Sequence, residues 1–436
     1  MKATRSNQRE KCGSVLLVTM IFILTVAVLL VSYFGIVLNS NRMVNRSQGW
    51  NSALTLAEAG IEEGLAAMNS GSSFSTINRT LNEGTYTVTY IPGSTIYIRS
   101  VGQVKVPITG DIVSRTVQVG LRQRSLFMRG LAAINNIRFN GNGISSDSWN
   151  SHDTNQSLNG LYNGYVGTNG DVASVQGLVN IGNHTINGNL YLGPNASFSG
   201  STGQVTGIIY TDANLQYNDI SLPTPTDTNG NAISWTTAVP TSITTVTLTT
   251  NINSSKVKGV TTYTTNIVFV TNSTPPQLNF TNSGYYIVND STTPIEVYPG
   301  VNVTLDVKSF NFNPSSLNID GGTVNSGNVN MYIETGSISL AGNSTGGASG
   351  NRPENLFIYG LPAVTSITLS GNSSFVGAIY APEAILTLNG GGNANNLIGA
   401  AVVNSVTLNG HYDFHYDTWL GQNQNGSYVV SSWQEL

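Results

Sequence analysis

Residues 14–38 read SVLLVTMIFILTVAVLLVSYFGIVL, a run without a single charge. At about 1.5 Å per residue, a helix of that length covers the roughly 30 Å of bilayer hydrocarbon. Lys2, Arg5, Arg9 and Lys11 precede the run against one acid, Glu10, and Arg42 and Arg46 follow it. The basic excess on the N-terminal side predicts a cytoplasmic N-terminus and an exported C-terminal region. A secretory signal peptide is the competing reading, but its apolar core spans only about 7–15 residues and ends at a small-residue cleavage site. Here helical periodicity continues past the apolar run. Leu54, Ala57, Ile61, Leu65 and Met68 recur at steps of three and four, with Glu58, Glu62 and Glu63 largely off that stripe. The spacing predicts one long helix from about Ser14 to about Met68, stopped by Asn69-Ser70-Gly71-Ser72-Ser73.

The rest of the 436-residue chain has a different character. Charged residues make up only 9%, against about 25% in ordinary soluble proteins. Gly is abundant at 47 residues, and hydrophobic residues reach 39%. Val, Ile, Leu, Tyr and Phe recur throughout, which argues against disorder. The surface is made of Asn, Ser, Thr and Gly, a composition suited to an extracellular β-protein rich in turns. Residues 1–130 hold thirteen basic against six acidic side chains, and residues 131–436 hold five against sixteen. Nucleic-acid binding needs clustered cations, so an acidic C-terminal region nearly free of Lys and Arg argues against it. Cys12 is the one cysteine. It excludes an internal disulfide, a Cys-based zinc site and a redox pair. It also precedes the apolar run instead of following it, so it does not read as a lipid-attachment site.

Residues 84–121 predict a small antiparallel sheet. Thr85-Tyr86-Thr87-Val88-Thr89-Tyr90 alternates, Pro92-Gly93-Ser94 turns, and Ile96-Tyr97-Ile98 and Arg115-Thr116-Val117-Gln118-Val119 resume. Beyond about residue 125 a weak repeat begins to show. Ile367-Thr-Leu-Ser-Gly371, Leu386-Thr-Leu-Asn-Gly390 and Val406-Thr-Leu-Asn-Gly410 follow one another at steps of about 19 and 20 residues, and Ile338-Ser-Leu-Ala-Gly342 precedes them. Phe375-Val-Gly-Ala-Ile-Tyr380 answers Leu397-Ile-Gly-Ala-Ala-Val402. A period of that length with β-rich segments predicts a β-solenoid, of the right-handed parallel β-helix kind. Asn140-Gly141, Asn159-Gly160, Asn187-Gly188, Asn389-Gly390 and Asn409-Gly410 supply corners that accept positive φ. Hairpins use the same dipeptide, so a β-sandwich is the alternative fold. Residues 221–250 (SLPTPTDTNGNAISWTTAVPTSITTVTLTT) are rich in Pro and Thr. They read as an excursion or linker, since Pro223 and Pro225 do not fit a central strand. The expected organisation is a leader at 1–13, a membrane and extended helix at 14–69, a small β-domain at 70–125, and a solenoid at 126–436 with its insertion at 221–250.

His411-Tyr-Asp413-Phe-His415-Tyr-Asp417 is the most chemical-looking segment. Two His four apart with two Asp have the composition of a metal site. The competing reading is a solenoid end-cap, with aromatics covering the last coil and polar groups bonded to backbone. No metal and no cofactor is assigned. Solenoids often serve polysaccharide enzymes, which need paired acids or acids beside cations. The acids beyond residue 130 are mostly isolated, as at Asp171, Asp212, Asp219, Asp306 and Asp320, and Asp147 with Asp153 is the nearest pair outside the terminal cluster. No catalytic residue is assigned, and an enzyme would have to rest on Asp147, Asp153, His411 or Asp417. The Asn-x-Ser/Thr triplets, for example at Asn45, Asn78, Asn183, Asn253 and Asn302, carry little weight in so Asn-, Ser- and Thr-rich a chain.

Lys11-Cys12-Gly13, the apolar run from Ser14, and Ala53-Leu54-Thr55-Leu56-Ala57-Glu58-Ala59-Gly60-Ile61-Glu62 together resemble a type IV prepilin, most closely the PilX-like minor pilins. The resemblance implies cleavage by a prepilin peptidase between Gly13 and Ser14. Most pilins carry Glu at the fifth mature position, where this chain has Val18. That departure points away from a major pilin, and it spares the helix a costly carboxylate in the bilayer. Asp147-Ser148-Trp149, Gly167-Thr168-Asn169-Gly170, Gly377-Ala378-Ile379-Tyr380-Ala381-Pro382 and Phe414-His415-Tyr416-Asp417 resemble PilX-like membrane proteins that end in a β-rich domain of unassigned function. The expected function is thus a non-enzymatic, pilin-like protein of a bacterial inner membrane, pilus or cell surface, with a structural or adhesive role. Its expected partners are the membrane, other pilins and assembly proteins, the prepilin peptidase, and an extracellular sugar or protein ligand. The alternatives are an uncut single-pass binding module and a tethered polysaccharide enzyme.

Overall fold

The computed structural model describes residues 10–69, 74–81, 84–93, 95–107, 109–141, 144–227, 231–241, 244–257, 260–273, 276–289, 293–308, 317–319, 327–342, 346–347, 352–371, 374–390, 395–410, 412–422 and 426–436. The chain forms two compact units. One comprises residues 1–124 with 426–436, and the other comprises residues 125–425.

The first unit opens with a single helix, α1, over Glu10–Asn69. Within its apolar half, the hydroxyls of Thr19 and Thr25 donate back to the carbonyls of Val15 and Leu16 and of Ile21 and Phe22. These two hydroxyls therefore satisfy themselves along the helix. Asn69 ends α1 and is pinned by two hydrogen bonds: its amide donates to the Tyr428 carbonyl at 3.1 Å, and its carbonyl oxygen accepts the Tyr428 N–H at 2.7 Å.

Four antiparallel strands follow in chain order: β1 (Thr76–Leu81), β2 (Gly84–Ile91), β3 (Ile96–Lys105) and β4 (Ile112–Gln123). Ile98 pairs with Val119 and with Tyr90, so one alternate set of residues faces α1. The buried line on the helix runs through Ala53, Leu56, Ala57, Gly60, Ile61 and Gly64, while Leu54, Leu65 and Met68 of the expected stripe flank it half-buried. The shift has a steric cause. A Cβ on Gly102 of β3 would stand 2.1 Å from the Ala53 carbonyl oxygen, and one on Gly60 would stand 2.3 Å from the Ser100 hydroxyl. Backbones this close admit only small residues, and a count of large apolar side chains does not register glycine.

The outer edge of β4 is taken by the C-terminal strand Tyr428–Glu435, with Trp433 opposite Val119 and an ion pair between Arg115 and Glu435. The expected second unit of 126–436 therefore stops short of the C-terminus. Residues 125–425 are inserted between two neighbouring strands of the first unit, an arrangement that reading along the chain does not reveal.

The second unit is dominated by parallel pairing, unlike the antiparallel strands of a sandwich. Ile338, Ile367, Leu386 and Val406 are successive partners, so the sequence repeat is the register of the ladder. The ladder then crosses to Ile137 and on to Val179. A second ladder runs Leu305, Met331, Ile358, Ile379, Ala401, Leu131, Val172 and Leu190. Every residue named in these two ladders is buried. Each large aliphatic side chain so stacked contributes about 1.5–3 kcal/mol of burial, which no single layer obtains alone.

Chain order and stack order therefore differ. The first layer in sequence, Leu131–Trp149, lies between the last layer, Asn395–Asp417, and the second, Val172–Ile186. From there the chain builds outward to Ile209–Tyr210. It then runs back without regular strands: Ala213 N–H donates to the Leu192 carbonyl, and Tyr380 Oη donates to the Asn218 carbonyl. It rejoins the stack where Thr236–Thr237 pairs with Tyr286–Ile287. The expected excursion at 221–250 is thus split, because Thr244–Val257 already forms a hairpin with Val260–Ser273.

Candidate functional site

Two features of the molecule carry chemistry: the bare half of α1 and the buried line where the last layer of the second unit meets the first. The apolar window of α1 has a mean hydropathy of 3.0, and none of it is buried in the fold. By length and composition it is able to cross a membrane. The Gly13–Ser14 peptide, the expected processing point, lies inside α1.

The meeting line of the parallel stack is polar. His415 stands opposite Asp147 in register, and its Nδ1 lies 2.7 Å from Asp147 Oδ1. Its Nε2 lies 3.2 Å from Asn396 Oδ1, and the Tyr162 ring stacks on the imidazole at 4.1 Å. Burial pushes the Asp147 carboxyl up, outweighing the hydrogen bond from His415, and the Asp413 charge adds to the rise. The same burial drives the Tyr162 phenol well above its ordinary value. Asp413 accepts from the Ser145 N–H at 2.8 Å and from the Ser145 hydroxyl at 3.0 Å. Asp417 accepts from the N–H groups of Ser151 and Trp419 at 3.0 and 3.1 Å, and burial raises its carboxyl as well. Asn135 and Asn404 add an amide pair at 3.0 Å.

This geometry corrects the reading of the 411–417 segment. His411 lies outside the described residues. Asp413, His415 and Asp417 each turn to a different partner on the first layer, and among the described residues no three His, Cys, Asp or Glu side chains converge as metal ligands. The segment is no end-cap either. Leu131–Trp149 covers it, because the last layer pairs with the layer with which the second unit began. The other acid of the enzyme reading, Asp153, takes the N–H of Asn155 and the amide of Gln156, which stiffens its own turn. Asp147, Asp153 and Asp417 thus each hold hydrogen-bond partners of their own.

One cluster carries no local signal in the sequence. Glu354 accepts from the Trp419 indole at 2.6 Å and lies 2.7 Å from His152 Nε2, while His152 and Trp419 stack at 3.8 Å. Arg352 closes the group, its Nη1 3.5 Å from Glu354. These residues come from three segments that only the stacking brings together.

Residues 279–423, about a third of the chain, match a family described as a domain of unknown function (DUF7305). No curated protein matches the chain. Among solved structures, the competence-associated pilin ComZ from Thermus thermophilus aligns over 89% of this chain and 97% of its own length, at 10% identity and a TM-score of 0.29. A likeness that faint carries no inference about this chain.

Proposed function

We propose that the protein is an exported, pilin-like surface protein, anchored by α1 and cut between Gly13 and Ser14. Its parallel layers are read as a β-solenoid with a structural or adhesive role and no catalytic one. The observation that carries this reading is the division of one continuous helix. Residues 15–38 are uncharged, apolar and bare, while one face of the same helix between Gly49 and Gly64 is buried against the sheet of its own unit. Bare apolar surface on that scale is stable in a bilayer or among similar helices, not in water. A helix of this design would pass from membrane to fibre without changing its surroundings in kind. The basic residues ahead of it favour retention of the N-terminus on the cytoplasmic side.

The test is the N-terminal residue and intact mass of the chain from membranes and from material sheared off the cell surface. A chain beginning at Ser14 and present in the sheared fraction is the expected result. A chain beginning at Met1 and confined to membranes overturns the processed-subunit reading and leaves an anchored surface domain.

A further inference from the structure

Successive layers of the second unit share one corner. Leu388-Asn389-Gly390, Leu408-Asn409-Gly410 and Phe139-Asn140-Gly141 stand there in register. Asn409 donates its amide to Asn389 at 2.8 Å, and the Gly410 N–H donates to the Asn140 carbonyl at 3.1 Å. A Cβ on Gly141 would lie 2.2 Å from the Gly410 carbonyl oxygen, so this corner stacks backbone directly on backbone.

The next layer breaks the ladder. Asn180 pairs with Arg138, which puts Ile181-Gly182-Asn183 where an Asn-Gly corner would otherwise continue, with Gly182 at a φ of 55°. A concavity of about 510 Å³ opens at this break, bounded by Gly141 and Gly182. That volume lies within the range of small-molecule sites. A local departure from an otherwise regular repeat is where a functional feature is expected.

The lining specifies the ligand. Phe139 and Ile144 are apolar and buried. The His184 imidazole is held in place: its Nδ1 accepts the Ile144 N–H at 3.2 Å, and the Gly141 backbone lies within hydrogen-bonding reach. Burial lowers the pKa of that ring, against the opposing pull of the Gly141 backbone and the Asp413 charge. The Asn183 amide and the Thr185 hydroxyl have no hydrogen-bond partner among the described residues. Among the described lining residues none is Lys, Arg, Asp or Glu, and the Asp413 carboxylate beside them already accepts from the Ser145 N–H and hydroxyl. The described lining thus presents no cationic side chain to an anion. Apolar surface beside uncharged amide and hydroxyl groups suits the alternating C–H and O–H groups of a sugar. We propose that this concavity binds one uncharged sugar residue of an extracellular glycan. The inference extends the adhesive part of the function proposed above, and it does not depend on how the N-terminus is processed.

The experiment is ligand-detected saturation-transfer NMR on the full chain in detergent micelles. Cellotetraose, maltotetraose and chitotetraose are the neutral probes, and sialyllactose is the charged control. At least one neutral probe is expected to bind. Asn183→Phe, at an exposed position, is expected to fill the concavity and weaken that binding roughly tenfold or more. Thr185→Val, which keeps the side-chain shape, is expected to weaken it several-fold, and this covers the case in which the larger variant misfolds. Absence of binding by every neutral probe, preference for sialyllactose, or unchanged affinity in the folded variants would each overturn the proposal. A chain starting at Met1 that still binds a neutral probe would sink only the processed-subunit reading. A chain starting at Ser14 that binds none would sink only this one.

Discussion

The helix–sheet contact of the first unit and the closing line of the second both bring distant segments close together, but by opposite means. Between α1 and β3 the approach is made with glycine and alanine, and the Gly102 position has no room for a methyl group. Where the last layer of the second unit meets the first, the approach is made with directional pairs: His415 on Asp147, Asp413 on Ser145 and Asp417 on Ser151. Elsewhere in the stack, apolar residues such as Ile367, Leu386 and Val406 lie on one another, and a register slipped by two residues would still bury apolar surface. At the closing line the strands come from opposite ends of the unit. Directional partners there penalise a wrong register, since a displaced buried charge loses its bond. One contact is sensitive to added volume, the other to a lost partner.

The largest expected effect comes from His415→Ala, which leaves the Asp147 carboxyl buried without its partner. The cost is about 4 kcal/mol, read as a lower urea midpoint and as faster amide exchange in Tyr412–Asp417. Asp147→Asn in the same chain is expected to recover part of it. An unchanged midpoint in the single variant would mean that apolar stacking alone holds the closing line.

Gly102→Ala is the matching probe of the first unit. It adds one methyl against the Ala53 carbonyl and is expected to cost about 2 kcal/mol, seen as faster exchange of the β3 amides while the second unit is unmoved. Wild-type stability in this variant would show that the helix is free to lift from the sheet, and would remove the contrast.

The smallest effect is a divergence with pH. The Glu63 carboxyl is held below its ordinary 4.5 by hydrogen bonds from Arg79 and then Tyr86. Its contribution is therefore present above 4.5 and lost as pH falls through the lowered value. Burial raises Asp417 above its ordinary 3.8. The folded state then holds that proton more tightly, so its contribution is present below 3.8 and lost as pH rises through the raised value. Mild acid is expected to loosen the β1–β2 region while protecting the closing line, as measured by exchange rates at two pH values. Asp417→Asn should remove the protection, and parallel weakening of both regions would contradict the assignment.

Much of this was legible in the residues. The uncharged run and its helical continuation predict α1, and the steps between Ile367, Leu386 and Val406 are the spatial register itself. What was hidden is the next member of that ladder. Ile137-Arg138-Phe139-Asn140-Gly141 reads locally as a lone Asn-Gly corner, with Arg138 where the others have Thr, and it lies far upstream of its partner Val406. A period is visible only between neighbours in sequence. The polar character of residues 413–417 was equally plain, but their partners at 145–151 were not, because the closure is a property of the whole stack. The glycine-lined helix face was missed for a different reason, since it is defined by what its residues lack.

The chain enters and leaves the second unit side by side. The Arg124 N–H donates to the Ser427 carbonyl at 2.9 Å, and the Gly426 N–H donates to the Arg124 carbonyl at 2.7 Å. The second unit is therefore joined to the first by two covalent connections in place of one. A pulling force applied to the second unit would be divided between β4 and its hydrogen-bonded neighbour, and the load on each peptide linkage falls accordingly.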